Sequence, residues 1–244
     1  MSRIFTWIRF VLSEYSRSGR ILVELTLGIA FWGLFFQNRS VPITQEQMFS
    51  LTGLFSMALA LYTTSAVLAL GDRPQSYIIL SRAVGRRGFL LGLYGAAVLV
   101  VWGVIALLIG LTLAIHRELI TDWRLIGVGI APLLLNVLLL SALMLLLSGF
   151  VARNWLRLGL LAILAIALYA NTWNLSPAYR YLSPLQSIFS RIVEPAIAGQ
   201  RLAVSREYGS GGWLVLLSQL VLAVLLVSIA LASFRSRELV LGKK

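Results

Sequence analysis

Six long apolar runs dominate the pattern of hydrophobic and polar positions along this chain. The runs are apolar on all sides, which excludes membrane-spanning strands, where polar and apolar residues alternate over about ten positions. A membrane-spanning helix needs about 20 apolar residues, so the pattern predicts an all-α polytopic membrane protein with six transmembrane helices. We expect the short first run to borrow Arg20, Gln37 and Asn38 at its ends. The runs are residues 21–36, 48–70, 89–115, 125–151, 156–173 and 213–234.

Residues 1–19 show apolar positions at helical spacing instead of a continuous run. On a wheel of 100° per residue, arginines and other polar residues fill the opposite arc, with Phe10 as the exception. This pattern is typical of an amphipathic helix in the membrane interface, with its apolar face toward lipid. The alternative is an amphipathic helix docked on protein; we favour the interface because a span follows at once. The apolar face comprises Ile4, Trp7, Ile8, Val11, Leu12 and Tyr15.

A polar, basic stretch, residues 71–88, separates the second run from the third. Its sequence, GDRPQSYIILSRAVGRRG, carries too much charge to lie in the hydrocarbon. Asp72 suits a helix N-cap, Pro74 suits a first helical turn, and Gly85 and Gly88 can end a helix. We therefore predict a short helix that lies against the membrane surface and contacts a partner protein.

The distribution of basic residues predicts the orientation of the chain. Fourteen of the 21 lysines and arginines fall in the N-terminal helix, the 71–88 loop, the turn after the fourth run and the C-terminus. The other seven lie in the remaining connections. Because positive residues collect on the cytoplasmic side, both termini and the loop are predicted to be cytoplasmic. The predicted location is the cell's inner (cytoplasmic) membrane, with a single transmembrane domain over residues 1–244.

The longest connection on the opposite side, residues 174–212, is not uniformly polar. It holds three of the six prolines, and apolar residues recur at helical spacing from Tyr181 to Val193. Such a segment either dips into the outer leaflet as a re-entrant half-helix or lies on the surface as a helix, and both interpretations stay open.

Composition supports the membrane assignment and limits the chemistry. The chain is 59% hydrophobic and 12% charged, against about 25% charged residues in soluble domains. There is no cysteine, which excludes disulfides and thiolate chemistry. The net charge of +12 comes from arginines that flank the spans and not from a basic soluble module, so we expect no nucleic-acid partner. The N-terminus lacks the apolar core of a secretory signal, and Ser2 stands where myristoylation needs glycine.

Few polar residues lie inside the runs. Glu24 is the only acid there, which makes it a functional candidate, although a salt bridge with Arg20 one turn earlier is the simpler interpretation. Most of the isolated polar groups in the runs are expected to make interhelical hydrogen bonds, and Pro132 is expected to kink the fourth span. These groups are Asn136, Gln219, Tyr62, Tyr94 and Tyr169.

Catalytic patterns are missing from the sequence. The single histidine, His116, stands in a connection, and the chain has no G-x-x-x-x-G-K-[ST] phosphate loop, Ser–His–Asp arrangement or metal-ligand cluster. We therefore expect neither enzyme activity nor a bound metal or cofactor in this chain.

Three stretches resemble the membrane subunit of an ATP-binding-cassette (ABC) exporter of the type 2 permease family. The amphipathic N-terminus leading into the first span resembles that family's elbow helix. The stretch YIILSRAVGRRGFLLG, residues 77–92, is similar to the family's pattern of an aromatic, an apolar run, Ser-Arg, a small turn, basic residues and the third span. The stretch YLSPL, residues 181–185, lies where the family has an external re-entrant segment. The resemblance covers nearly the whole chain.

The resemblance implies a permease subunit that moves its substrate with ATP hydrolysed by a separate cytoplasmic ATPase. A second copy or a related permease would complete the pore, and ATP and Mg would be bound by the ATPase. The 71–88 loop would be the coupling helix, with Tyr77 and Leu80 as buried contacts and Arg82 paired with acids of the ATPase. The predicted contact set is Asp72, Arg73, Gln75, Ser76, Tyr77, Leu80, Ser81, Arg82 and Arg86.

Two other functions are weighed beside this one. The first is a membrane anchor or scaffold that transports nothing. The second is an ion-driven transporter, which would usually carry mid-span charges or broken spans in repeated halves. Within the permease interpretation, lipid, peptide, drug, haem-related and polysaccharide cargo all fit the motifs, and export is favoured over import.

Overall fold

The computed structural model describes residues 2–38, 43–71, 85–119, 123–149, 151 and 183–236. Within these ranges the chain forms α-helices and a 3-10 turn at Arg117–Leu119, with no β-strand, as the apolar runs predict. The α-helices are α1 Ser2–Arg17, α2 Arg20–Phe35, α3 Gln45–Gly71, α4 Gly85–Ile115, α5 Trp123–Leu146, α6 Ser183–Ser205 and α7 Gly209–Ser236.

Four helices, α3, α4, α5 and α7, are long and apolar enough to cross a membrane. The first run forms α2, whose 16 residues fall short of the roughly 20 that a span needs. α2 takes in Arg20 as expected but ends before Gln37 and Asn38. Counting α1 and α2, which are bent by 74°, as one broken span gives a fifth candidate. The run at 156–173, the predicted fifth span, lies outside the described residues. The architecture is that of a helical membrane protein, and the total of six spans stays a prediction.

One end of the bundle, which we call the loop end, gathers the segments that flank the 71–88 loop. α3 ends there and α4 begins there. The same apolar cluster contains side chains from α1, from the residues just after α5, and from the end of α7, which are the segments that the arginine count places on one side. Members from each are Trp7, Leu70, Phe89, Val151 and Phe234.

The opposite end, which we call the hairpin end, lies where α6 turns into α7. His116, expected in an open connection, is buried there and its Nε2 lies 2.8 Å from the carbonyl oxygen of Phe36. A carbonyl only accepts, so Nε2 carries the proton and donates. This bond joins the end of α4 to the end of α2. Phe36 belongs to a second apolar cluster, which also contains Met48, Leu113, Leu119, Ile126 and Ala203.

Pro132 lies inside α5 and does not end the helix. Because proline has no N–H, the carbonyl of Val128 one turn earlier loses its helical partner. The Tyr208 hydroxyl, from the turn between α6 and α7, donates to that carbonyl at 2.7 Å. Burial raises the pKa of the Tyr208 phenol, which keeps it protonated as a donor. The proline thus exposes an acceptor on α5 that anchors the α6–α7 turn.

Candidate functional site

The 71–88 loop, predicted to contact an ATPase, leaves and re-enters the bundle through a packed base. α3 ends at Gly71 and α4 begins at Gly85. The last turn of α3 and the first turns of α4 are buried in one apolar cluster, so the two ends of the loop are held together. The residues that form this base are Leu68, Leu70, Phe89 and Leu90.

Glycines mark where the loop ends. Gly85, the first residue of α4, has φ 70°, a left-handed conformation that glycine adopts without a Cβ penalty. Gly88 is helical and buried inside α4, so the prediction that it can end the loop helix is wrong.

Arginines occupy the first turn of α4. Arg86, the predicted ATPase contact that lies within the described ranges, is exposed beside Arg87. Positive side chains at a helix N-terminus oppose the helix dipole, so the stability of α4 does not account for their position. The remaining predicted contacts lie outside the described residues: Asp72, Arg73, Gln75, Ser76, Tyr77, Leu80, Ser81 and Arg82.

α1 lies against the start of α4, directly after the loop. The Trp7 indole N–H donates to the Phe89 carbonyl at 3.1 Å, and the two rings stack with centroids 5.3 Å apart. A Cβ added to Gly92 would overlap the Trp7 ring, so the glycine makes room for the indole. A hydrogen bond, a ring stack and a close approach therefore join α1 directly to the start of α4.

The face of α1 that packs on the bundle is the predicted apolar face. The centre of this face contacts protein, which corrects the prediction that it faces lipid and matches the docked alternative. The location of α1 in the membrane interface stays a prediction. Phe5, at the edge of the apolar face, and Phe10, within the polar face, are 68% and 45% exposed and leave apolar surface free. Trp7, Val11 and Tyr15 are buried, and Ile4, Ile8 and Leu12 are half-buried.

Glu24 is fully buried between three helices. Its Oε1 accepts hydrogen bonds from the Tyr15 hydroxyl of α1 and, at 3.3 Å, from the Thr63 hydroxyl of α3. Its Oε2 has no hydrogen-bond partner. Arg20 donates instead to the carbonyl of Ala66 at 2.8 Å, so the expected salt bridge between Arg20 and Glu24 is wrong.

The bond between Tyr15 and Glu24 crosses the bend between α1 and α2. Gly19 adopts φ 74° at this bend, a left-handed conformation that few other residues tolerate. Burial and the hydrogen bond to Glu24 raise the pKa of the Tyr15 phenol, so Tyr15 keeps its proton and donates. One carboxyl group therefore connects α1, α2 and α3.

A second polar cluster holds α6 among α3, α5 and α7. The Asn136 amide of α5 donates to the Ala196 carbonyl of α6 at 3.0 Å. The Gln219 amide of α7 donates to Asn136 Oδ1 at 2.6 Å. Both side chains are fully buried, which confirms the expected interhelical bonds. At 1.5 Å per residue, Asn136 lies about 20 Å from the start of α5 and Gln219 about 15 Å from the start of α7.

Gln200 attaches α6 to α3. Its Nε2 donates to the Ser50 carbonyl at 3.1 Å, and a Cβ added to Gly53 would overlap its amide. The buried Oε1 atoms of Gln200 and Gln219 have no partner. Each amide therefore keeps an unused acceptor.

We expect a measurable coupling between Asn136 and Gln219. Because interhelical hydrogen bonds in membrane proteins are worth about 0.6 kcal/mol and at most about 1.7, Asn136→Leu and Gln219→Leu should be non-additive by that amount. A double-mutant cycle of denaturant unfolding in detergent measures it. Ser218→Ala is the control partner, because Ser218 is exposed and bonds only its own helix, so its effect should add to that of Asn136→Leu. Strict additivity of the two amide variants would contradict the pairing.

The chemistry available in these clusters is hydrogen bonding and charge. Across the described ranges, no three His, Cys, Asp or Glu side chains lie together as metal ligands. The hydroxyl of Thr63 and the Thr64–Ser141 pair, 3.0 Å apart, were not singled out from the sequence. Threonine and serine are common in spans, and only the packing of the helices shows which of them meet a partner.

Three comparisons with known proteins found no match for this chain. No protein-family profile matches the chain, no curated protein matches it, and no solved structure matches it. A function is therefore proposed from the residues of this chain and their geometry.

Proposed function

We propose that the chain is the membrane-spanning permease subunit of an ABC exporter, driven by a separate ATPase that contacts the 71–88 loop. One observation carries the proposal: α1 docks on the first turns of α4, directly after the loop, through the bond from Trp7 to Phe89. A force applied to the loop would therefore reach two helices at once. A loop that only enforced topology would need arginines but no such docking.

The contacts continue from α1 into the bundle. Tyr15, two turns after Trp7, donates to Glu24 of α2, and Thr63 of α3 donates to the same carboxyl oxygen. In this proposal, displacement of α4 tilts α1, and the Glu24 link passes the tilt to α2 and α3. Such a chain of packed and hydrogen-bonded groups is the physical form that coupling between distant sites requires.

In the same proposal, α6 is the external re-entrant segment. Support comes from the depth of its contacts, since the Asn136–Ala196 bond lies about 20 Å along α5 and a membrane's hydrocarbon is about 30 Å thick. A helix resting on the surface would not reach that far. Asn136 of α5, which Gln219 of α7 holds in place, donates a hydrogen bond to the backbone of α6 there. A re-entrant segment needs such protein partners for its backbone polar groups.

Partners follow from what the chain lacks and what it exposes. It has no phosphate loop, so ATP and Mg belong to the ATPase subunit. α2 presents an apolar face to the outside of the described bundle, suited to lipid or to a second permease copy. That face includes Leu22, Leu27, Ile29 and Leu34.

Association with an ATPase tests the proposal. The tagged chain, purified in mild detergent from cells that make it, should carry ATP-hydrolysing activity. Tyr77→Ala combined with Arg82→Glu should weaken this association about 100-fold or more, because interface Tyr and Arg hot spots each contribute about 2 kcal/mol or more.

The matched control makes the same kinds of change away from the loop. Tyr62→Ala with Arg117→Glu alters an exposed tyrosine on α3 and an exposed arginine after α4, and should leave the co-purified activity unchanged. If the loop variant retains its ATPase, the coupling assignment is wrong. Flux into proteoliposomes driven by a proton or sodium gradient without any ATPase would favour the ion-driven transporter.

A further inference from the structure

α2 and α3 run antiparallel and meet along a line that we call the α2–α3 seam. Three contacts lie in one register along it: a guanidinium-to-carbonyl bond, a hydroxyl-to-carboxyl bond and an aromatic stack. The pairs are Arg20–Ala66, Glu24–Thr63 and Phe31–Phe55.

An acid with a free oxygen lies near one end of the seam. Glu24 is fully buried, both neighbouring hydroxyls donate to its Oε1, and its Oε2 has no partner. Arg20, the nearest cation on α2, is engaged by the Ala66 carbonyl. A buried polar atom without a partner is costly, so Oε2 is a ready acceptor for a positively charged group.

Aromatic rings lie at the other end of the seam. Phe31 stacks on Phe55 with centroids 4.5 Å apart and contacts Phe35 and Phe36 at 4.7 and 5.9 Å. Phe31 follows Glu24 by seven residues, so the two share a face of α2 about 10 Å apart. Aromatic faces bind apolar bodies and attract cations.

The seam is lightly closed between these ends. Glu24 and Gly28 are the buried members of α2, whereas α3 buries residues along its whole length. Gly28 stands between the acid and the aromatic rings with no side chain, and Val104 of α4 fills the space at 3.1 Å from where its Cβ would be. Moving α2 away from α3 and from Val104 of α4 therefore uncovers a carboxyl end and an aromatic end.

We propose that the α2–α3 seam binds an apolar molecule carrying one positive charge, such as a quaternary ammonium or phosphonium ion. The charge sits at Glu24 Oε2, and the apolar body lies against Phe31 and Phe55. That this ligand is the cargo of the exporter rests on the proposed function. The binding itself requires neither ATP nor the ATPase.

Two probes of equal size and opposite charge test the site. Equilibrium binding of tetraphenylphosphonium and of tetraphenylborate to the purified chain, corrected for partition into empty micelles, should show saturable binding of the cation only. Glu24→Gln keeps an acceptor for Tyr15 and Thr63 but removes the charge. It should weaken tetraphenylphosphonium binding about 30-fold or more, the effect of removing one member of a buried charge pair.

The control carboxylate is Glu14. Glu14 is partly exposed on α1 and pairs with Arg17 at 3.9 Å, so Glu14→Gln should bind the cation as the wild type does. Phe31→Leu keeps apolar volume, leaves Glu24 intact and should weaken binding about fivefold, because the apolar body of the ligand loses its aromatic packing against the Phe31 ring. If Glu24→Gln fails to fold, two measurements still decide the test. They are the binding of the cation by Phe31→Leu and the comparison of the two probes on the wild type. Equal binding of both probes, or unchanged binding by folded Glu24→Gln, would overturn the proposal.

The two proposals fail separately. Glu24-dependent binding of the cation by a chain whose Tyr77→Ala/Arg82→Glu variant keeps its ATPase would retain the site and reject the coupling assignment. Suppose instead that the variant loses its ATPase and that the purified chain binds the cation and the anion equally. The permease proposal would then stand, and the proposed binding site at the seam would be rejected.

Discussion

Gly92→Ala is expected to displace α1 from α4 and to lower the melting temperature of the purified protein by several degrees. An added Cβ would overlap the Trp7 indole, a rigid ring that is 5% exposed and cannot swing away as a flexible side-chain tip can. Overpacking of a well-packed site costs about 1–3 kcal/mol, and for a chain of this size each kcal/mol shifts the melting temperature by about 2–4 °C.

A cysteine probe detects the displacement itself. The chain has no native cysteine, so Val11→Cys, at a position 3% exposed on the docked face of α1, supplies a single thiol. It should react slowly with a maleimide in the parent background and quickly when combined with Gly92→Ala. Gly103→Ala is the control on the same helix, because a Cβ there meets nothing within 4 Å. Equal stability and labelling for the Gly92 and Gly103 variants would show that α1 does not dock as described.

Gly129→Ala is expected to destabilise the hairpin end of the bundle by about 1–3 kcal/mol. A Cβ on Gly129 of α5 would stand 2.5 Å from Cζ of Phe49 and 2.7 Å from two further ring atoms. Phe49 of α3 is fully buried, so its ring has no free space to move into. The measurement is the unfolding free energy in detergent, obtained from denaturant titration.

Gly127→Ala provides a closely matched control for this prediction. It lies two residues away on α5 and its added Cβ meets nothing within 4 Å. Both changes gain the same helix propensity, since alanine is preferred over glycine in helices by about 1 kcal/mol. The difference between the two variants therefore isolates the overlap with Phe49. A Gly129 variant as stable as the Gly127 variant would disprove the close approach of α3 and α5.

Glu24 shows where local sequence patterns stopped being informative. Helical spacing makes Arg20 its nearest opposite charge, and a sequence-based pairing follows naturally. In the structure Arg20 is taken by a backbone carbonyl of α3, and the carboxyl is reached from Tyr15 and Thr63, which lie 9 and 39 positions away. A competition among partners from other helices depends on how those helices pack, which no local pattern contains.

For α1, too, the sequence predicts some features and not others. Its helical state and the arc occupied by Trp7, Val11 and Tyr15 follow from periodicity, because side chains three and four positions apart share a face. Whether that face meets lipid or protein depends on the shape of the partner surface. Gly92 supplies that shape, since its missing side chain admits Trp7.

Hydrophobic length and spacing were sufficient to predict the helical class, the long apolar helices α3, α4, α5 and α7, and the position of the 71–88 loop between two of them. These are properties of single segments, set by what each run of side chains does in lipid or water. The contact of α1 with the start of α4, the contacts of α6 with α3 and α5, and the unpartnered oxygen of Glu24 arise between segments. They depend on which atoms of distant helices fit together, and that fit is a property of the packed bundle.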